Sequence, residues 1–346
     1  MMSGRIIVQS DSDADQVAKR LVSDLHTPRP AIYWADLLLS ALVGWTAFAA
    51  AIIAKPLSWK MMVSSLIAVF ALYRGLCFLH EISHLRRSAL RGFETTWNML
   101  LGVPMLMPSF IYVGVHQNHH KISTYGTAQD PEYLPFSGRP LMIVLFSLQS
   151  LLVPVLLIVR FLLLAPFSLV FPGAHQWLAV RASAFCMNVR YRREVPEAIS
   201  RKIARWEGVT LGAWCGLLAL AALHILPWRS FAFWYLVSAV ASFINTVRTL
   251  GAHRYRSDGT PLDRDGQLGD SIDTPGAFWT ELWAPVGLRY HALHHYFPGI
   301  PYHNLKAAYQ RLIRTGPDSQ HSQAASPSLP RSLRALYRGE RTWSVK

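Results

Sequence analysis

The sequence contains few charged residues and few cysteines. Asp, Glu, Lys and Arg make up only 16% of its 346 residues, whereas a soluble domain usually carries about a quarter. The three cysteines are scattered and form no C-x-x-C pair, so the sequence predicts neither a disulfide framework nor a thiolate metal site. The first 30 residues lack the short apolar core of a signal peptide, so we expect the N-terminus to stay in the cytoplasm.

Hydrophobic residues are abundant instead and lie in long runs. They make up 51% of the chain, and several runs reach the roughly 20 residues that a membrane-spanning helix needs. The net charge is +14, and the basic residues flank the apolar runs, as the positive-inside rule describes for cytoplasmic loops. No recognition motif accompanies them, which argues against nucleic-acid binding. The sequence therefore predicts an all-α integral membrane helix bundle.

The strongest runs predict about four spanning helices in two hairpins. The first hairpin comprises 31–54 and 61–79, and the second comprises 209–226 and 231–250. Arg86 and Arg87 follow the first hairpin at once, which places its end in the cytoplasm. Because the number of crossings is even, the second hairpin also returns the chain to that side.

Two further apolar segments are interrupted by proline. A full crossing by residues 97–115 would place His116 on the opposite side of the membrane from His80, so we predict a re-entrant or interfacial element there. Residues 141–171 fit either an interfacial helix or a broken hairpin, and the pattern leaves both open.

Composition also divides the chain into three predicted segments. Residues 1–30 read as a polar cytoplasmic lead, 31–310 as the membrane domain, and 311–346 as a flexible cytoplasmic tail rich in Ser, Pro and Arg. Within the membrane domain, residues 181–205 hold seven basic residues and are predicted to form a cytoplasmic surface segment.

Eight histidines in three short motifs are the main chemical signal. The motifs are H-E-I-S-H (His80, His84), H-Q-N-H-H (His116, His119, His120) and H-A-L-H-H (His291, His294, His295). Histidines at positions i, i+3 and i+4 of a helix share one face and can converge on one ion. One ion seldom uses more than three or four imidazoles, so the set predicts two metal ions at the edge of the membrane. Imidazoles without thiolates suit iron, zinc or copper.

His253 is a ninth candidate ligand, at the cytoplasmic end of the last predicted span. Asn245 lies eight residues earlier on the same helical stripe. We predict that it contacts the metal through water or through another ligand, although a helix–helix contact is the alternative. Glu81, Asp130 and Glu132 could orient ligand imidazoles; the simpler interpretation of each is a solvated or locally hydrogen-bonded carboxylate.

The order H-x-x-x-H, H-x-x-H-H, H-x-x-H-H resembles the membrane fatty acid desaturase and hydroxylase superfamily over residues 31–310. The stretches HHKISTYGTAQDPEY and PVGLRYHALHHYFPGIPYHNL look like bacterial desaturases of this group. The resemblance implies a mushroom-like bundle in a bacterial inner membrane, with a cytoplasmic cap that carries the histidines. It also implies a centre of two iron ions (Fe2+/Fe3+) held by the eight boxed histidines, with His253 as a further ligand. The asparagine of the family does not align cleanly, because Thr249 stands four residues before His253 and Asn245 lies a turn earlier.

The leading functional hypothesis is an O2-dependent desaturase that introduces a double bond into a fatty acyl chain. A hydroxylase or ketolase on the same scaffold, acting on acyl, alkane or carotenoid substrates, is the alternative. A metal-binding or transport protein is a third hypothesis, disfavoured because the histidines lie at helix ends rather than near the bilayer midplane. The sequence carries no cytochrome b5-like segment, so we expect a separate ferredoxin- or cytochrome-type electron donor that docks on the basic residues 181–205.

Overall fold

The computed structural model describes residues 15–86, 88–314 and 320–340, and within these it contains helices and turns but no strand. The helices are α1 (Pro30–Ile53), α2 (Trp59–His84), α3 (Phe93–Trp97), α4 (His116–His119), α5 (Pro140–Ser168), α6 (Pro172–Arg181), α7 (Glu197–Ala222), α8 (Arg229–Ala252), α9 (Arg264–Asp270), α10 (Thr280–Trp283), α11 (His291–Tyr296), α12 (Tyr302–Ile313), α13 (Gln320–Gln323) and α14 (Leu329–Arg338). Helices α1, α2, α5 and α8 are long and apolar enough to cross a membrane. The predicted all-α membrane bundle is confirmed.

The first hairpin forms as predicted, but the first helix of the second hairpin is less apolar than predicted. Helices α7 and α8 form the expected pair around residues 223–228, yet α7 is not among the helices apolar enough to span. Its first half contains the charged end of the basic segment 181–205, and charged side chains are expensive inside a bilayer.

Helix α5 argues against one of the two alternatives that the sequence left open for residues 141–171. It is one continuous helical run rather than a broken hairpin, with a 3-10 turn at Ser150–Leu152 and a π turn at Val159–Leu164. Pro154 and Pro166 each lie at the start of the helical piece that follows one of these turns. A proline is tolerated there because its missing N–H has no obligatory partner.

Residues 97–115 form short helical pieces and turns, in agreement with the predicted interrupted element. Trp214 of α7 and Trp234 of α8 donate from Nε1 to the carbonyls of Val103 (3.1 Å) and Pro104 (2.9 Å). Backbone carbonyls inside a membrane need such partners because lipid supplies none. These two bonds anchor the element between α7 and α8.

The described part of the predicted tail is helical and packed. Leu336 of α14 is 4% exposed, and its carbonyl accepts a hydrogen bond from the N–H of Gly138 at 2.9 Å. A flexible segment was expected because Ser, Pro and Arg are frequent here, but an apolar stripe of α14 packs on α8. Residues 315–319 and 341–346, like residues 1–14 and Arg87, lie outside the described part of the chain, and the three-segment division stays a prediction.

Candidate metal centre

All nine predicted histidines meet at one end of the bundle, where they form two clusters. The first cluster comprises His80, His84, His116, His120 and His294, and the second comprises His119, His253, His291 and His295. Within each cluster, the candidate ligand nitrogens lie within 4.8 Å of one another. The second cluster is wholly buried, whereas two members of the first are partly exposed.

Each H-x-x-H-H motif contributes to both clusters, which the sequence reasoning did not foresee. In the second motif, His116 and His120 belong to the first cluster and His119 to the second. In the third motif only the central histidine, His294, enters the first cluster. The physical reason is that successive residues of a helix are rotated by about 100°, so positions i+3 and i+4 diverge to either side of position i. The shared face allows the histidines of one motif to converge on one ion, but the folded chain keeps only the first motif, His80 and His84, within a single cluster.

Two of the three histidine motifs lie on short helices that need support from the rest of the fold. His80 and His84 occupy the last two turns of α2, whereas α4 and α11 are only 4 and 6 residues long. Isolated helices of that length are unstable, so tertiary contacts must fix them. Asp273 supplies one, because its Oδ1 accepts the backbone N–H of Leu293 in α11 at 3.1 Å. Burial raises the pKa of Asp273 to about 7.

The imidazole nitrogens of each cluster face one another. Nε2 of His291 lies 2.8 Å from Nε2 of His253, and Nε2 of His120 lies 3.0 Å from Nε2 of His116. Both ring nitrogens of His80 and Nε2 of His119 are buried and have no hydrogen-bond partner. Buried polar atoms without partners are rare in folded proteins. Converging lone pairs with too few protons to join them fit a metal ion in each cluster.

Two carboxylates fix the tautomer of the ligands on α4. Glu132 Oε1 lies 2.7 Å from His116 Nδ1, and Asp130 Oδ1 lies 2.9 Å from His119 Nδ1. Although burial opposes ionisation, the neighbouring imidazole of His116 lowers the pKa of Glu132. A carboxylate only accepts, so the imidazoles donate from Nδ1 and direct the lone pair of Nε2 into the clusters. Asp130 and Glu132 are thus buried carboxylates with local hydrogen-bond partners, and those partners include the candidate ligands His119 and His116.

A tyrosine performs the same task for His253. Tyr125 donates its hydroxyl hydrogen to Asp270 Oδ2 at 3.0 Å, and its oxygen lies 2.9 Å from His253 Nδ1. His253 therefore donates to that oxygen and keeps Nε2 free for the cluster. Sequence reasoning missed Tyr125 and Asp270, which lie more than a hundred residues apart. The one signal available was an acidic residue in the Asp-rich stretch after α8, which folds into α9.

Burial keeps most of these imidazoles in the neutral form that binds metals. It lowers the pKa well below the usual value, with help from neighbouring imidazoles, in His120, His253, His291, His294 and His295. His119 differs, since Asp130 raises its pKa although burial acts in the other direction. The five residues with a lowered pKa thus offer neutral nitrogen atoms without an energetic penalty for deprotonation.

Three other residues named from the sequence contact groups outside the two clusters, and a water-mediated role for Asn245 stays a prediction. Asn245 Oδ1 accepts two hydrogen bonds from the Arg248 guanidinium, at 3.1 and 3.2 Å. Glu81 accepts from the hydroxyl of Tyr33 at 2.5 Å and so joins α1 to α2 rather than orienting a ligand. Arg193 of the basic segment is buried and donates to three backbone carbonyls, so it is not part of a docking surface.

Two neighbouring cavities, the inner and the outer part of one cavity region, lie beside the first cluster. The inner part, of about 80 Å³, is lined by His80, by apolar side chains of α2 and by α8. The outer part, of about 400 Å³, lies between α5 and α8. Tyr112, Asn245 and Arg248 line both parts. The arrangement can present one segment of a lipid chain to the metal-binding end while excluding bulk water.

The fold and the site define a class: an integral membrane protein whose buried histidines suit two metal ions beside a lipid-sized cavity. Residues 57–326 match the sequence model of the Fatty acid desaturase family. The chain is also 38% identical to a ceramide hydroxylase of Caulobacter vibrioides (strain NA1000 / CB15N) over 339 residues, which cover 95% of this chain and 94% of the relative. The chain therefore belongs to the fatty acid desaturase family, and it is an oxidoreductase of the desaturase and hydroxylase kind.

Proposed function

We propose that this protein hydroxylates a ceramide-type lipid, using O2 and two iron ions. The observation that carries the substrate class is the match to a ceramide hydroxylase along nearly the whole chain. The chemistry is supported by the two histidine clusters beside the cavity. When bound, iron supplies the one-electron chemistry that O2 activation requires. The balanced reaction is R–H + O2 + 2 e− + 2 H+ → R–OH + H2O.

The residues of the chain have separable tasks in this proposal. The nine clustered histidines hold the two ions, and Glu132, Asp130 and Tyr125 orient their ligands through Nδ1. The apolar lining of the cavity excludes water, which protects the reacting carbon from side reactions. Each task predicts a different defect on mutation, either in metal content or in the product.

The electrons come from a separate acidic carrier protein, of the ferredoxin or cytochrome type, on the cytosolic face of a bacterial inner membrane. Exposed basic side chains at the histidine end, among them Arg190 and Arg192, support both the orientation and the charge of the partner. Tyr191, which lies between them, accepts a hydrogen bond at 2.6 Å from Asn118 of α4. A donor on this surface is therefore within one short helix of the metal ligands.

Desaturation of an acyl chain is the second candidate, favoured by the match to the Fatty acid desaturase family. Its balance is R–CH2–CH2–R′ + O2 + 2 e− + 2 H+ → R–CH=CH–R′ + 2 H2O. The two reactions consume the same reagents and differ in the fate of one oxygen atom. Metal transport stays disfavoured, because the clusters lie at the helix ends.

The decisive experiment feeds 18O2 to cells that produce the protein and analyses their lipids by mass spectrometry. Hydroxylation adds one labelled oxygen to a ceramide, whereas desaturation removes two hydrogens and leaves all label in water. Cells that produce the His294→Ala variant are the matched control, since this change removes a ligand from the first cluster. An iron-loaded protein whose presence leaves every lipid unchanged under an active electron donor refutes both candidates.

A further inference from the structure

Among the residues that the structure describes, Arg248 of α8 is a buried cation without a carboxylate partner. Arg248 is 8% exposed, and its guanidinium donates to Asn245 Oδ1 and Thr249 Oγ1, while Nη1 is buried without a hydrogen-bond partner in the described part of the chain. Within the described residues, no carboxylate oxygen lies within 4.0 Å of it. By contrast, the buried Arg160 pairs with Glu207. Burying an unpaired charge is costly, and an ionisable residue inside a membrane protein usually serves a ligand.

The position of Arg248 shows which part of the cavity such a ligand would occupy. The side chain lines both the inner part of the cavity, together with His80, and the outer part between α5 and α8. A plain alkyl segment has no hydrogen-bond acceptor. An unfunctionalised chain would therefore leave the Nη1 hydrogens without a partner. The site therefore suits a lipid that carries an oxygen acceptor close to the carbon that is oxidised.

Other polar groups around Arg248 narrow the chemistry of this acceptor. Ser242 and Thr246 also line the cavity from α8, and their hydroxyls can both donate and accept. An amide presents one acceptor and one donor, which match a guanidinium and a hydroxyl. A carboxylate presents acceptors only and leaves the hydroxyl oxygens without a donor.

We propose that Arg248 binds the carbonyl oxygen of an N-acyl amide lipid through Nη1 and so positions the carbons next to the amide at the first histidine cluster. This inference rests on the proposed function and adds a regiochemical consequence. The hydroxyl is introduced within a few bonds of the amide, not in the middle of a long chain. The amide belongs either to a ceramide or to an N-acyl amino-acid lipid, and both present the same group to Arg248.

Binding, not turnover, tests this role directly. The full chain, loaded with zinc so that no reaction occurs, is reconstituted in lipid nanodiscs and titrated with four probes. These are an N-acyl sphinganine, an N-acyl amino-acid lipid, a free fatty acid, and a sphinganine analogue in which two methylenes replace the amide. Arg248→Met should weaken binding of the first probe, of the second, or of both by about 10-fold to 100-fold, the range of a hydrogen bond from a charged donor. Binding of the methylene analogue should not change.

Arg248→Lys and Arg248→Gln separate charge from hydrogen bonding, and an intermediate loss is expected for both. Ser238→Ala is the matched control, because Ser238 lines the inner cavity from the same helix and its hydroxyl has no partner. Zinc content and thermal unfolding of each variant show whether the fold and the clusters are retained. Should Arg248→Met fail to fold, Arg248→Lys and Arg248→Gln provide the same comparison between the amide and its methylene analogue.

The possible outcomes distinguish this proposal from the proposed function. Equal loss for the amide and for its methylene analogue, or no loss at all, overturns the role of Arg248 even where ceramide is hydroxylated. Loss confined to the free fatty acid assigns the site to a carboxylate and overturns the amide. Selective loss for an amide lipid that the iron enzyme never oxidises leaves this inference standing and refutes the proposed function.

Discussion

Replacing Asp130 with Asn should remove the metal ion of the second cluster and spare that of the first. Asp130 is fully buried, and its Oδ1 and Oδ2 lie 2.9 and 3.0 Å from His119 Nδ1. The backbone N–H of Gly126 donates to Oδ2 at 2.9 Å, and that of Glu132 donates to Oδ1 at 2.8 Å. All three neighbours are thus donors. An asparagine amide must turn its NH2 group toward one of the backbone donors whichever way it is placed.

This donor–donor contact sets the size of the expected effect. An unsatisfied buried donor costs about 1–3 kcal/mol, and His119 relieves the conflict only by moving or by changing tautomer, which protonates the ligand nitrogen Nε2. Changes of this kind at orienting carboxylates typically lower metal affinity by about 10-fold to 100-fold. Because each tenfold is about 1.36 kcal/mol, the two estimates agree.

Metal analysis measures the effect without depending on the substrate. We expect the iron content of Asp130→Asn to fall from two toward one per chain, since one cluster is disturbed and the other is not. Glu132→Gln should reduce the other ion through His116, and the double variant should lose both. Glu81→Gln is the matched control, because Glu81 is a buried carboxylate beside His80 in the sequence that bonds Tyr33 instead. Asp130→Asn with full iron content and wild-type affinity would refute the assigned role of this carboxylate.

Three further predictions test other parts of the structure. Tyr125→Phe removes the acceptor of His253 Nδ1, so metal titration should show about 10-fold weaker binding of one ion. Burial lowers the pKa of His321 from 6.5 to about 4; the unfolded chain therefore binds more protons between these values, and stability should fall as pH decreases from 6.5 to 4, by up to about 3 kcal/mol. His321→Phe should remove this contribution in denaturant titrations, while the contribution of the clustered histidines remains. Arg192→Glu should slow reduction by an acidic donor at low salt, whereas Arg193→Glu should abolish folding, because only Arg193 is buried.

Each of these three has its own contradicting result. Unchanged metal affinity in the phenylalanine variant at position 125 would show that the tyrosine hydroxyl does not orient the ligand. An identical pH profile for wild type and His321→Phe would assign the acid sensitivity to other groups. Reduction kinetics of Arg192→Glu that match wild type at every ionic strength would move the docking site away from this surface.

Most of the fold and all of the clustered histidines could be predicted from the sequence. Both follow from local patterns and from the condition that histidines far apart in the chain lie on one side of the membrane. Apolar runs specify α1, α2 and α8 by length alone. The requirement that His80 and His116 reach the same ions forbids a crossing between them, and this placed residues 97–115 correctly without any structural information. The sequence left α5 open because prolines interrupt it, and it predicted α7 as a spanning helix although the first half of α7 is charged; by length and composition, α5 rather than α7 is the candidate span.

The supporting contacts could not be predicted, because they depend on which loops meet. Tyr125 and His253 are 128 residues apart, and nothing in their local sequence marks them as partners. Arg193 belongs by composition to a basic surface segment. In the folded chain it is buried instead, because its guanidinium donates to three backbone carbonyls that only folding brings together. Similarly, the division of each H-x-x-H-H motif between two clusters requires α4 and α11 to lie between them.

We expect different parts of this molecule to control metal binding and the choice of product. Under the proposed function, hydroxylation and desaturation consume the same O2, electrons and protons, so both place the same demand on the histidine clusters. We therefore expect the selection to come from where the cavity holds the reacting carbons. Among the described residues, Arg248 is the one charged side chain that lines the inner cavity beside His80. It follows that variants of the orienting carboxylates should change metal content at a constant product, whereas variants of Arg248 should change the product or its position at constant metal content.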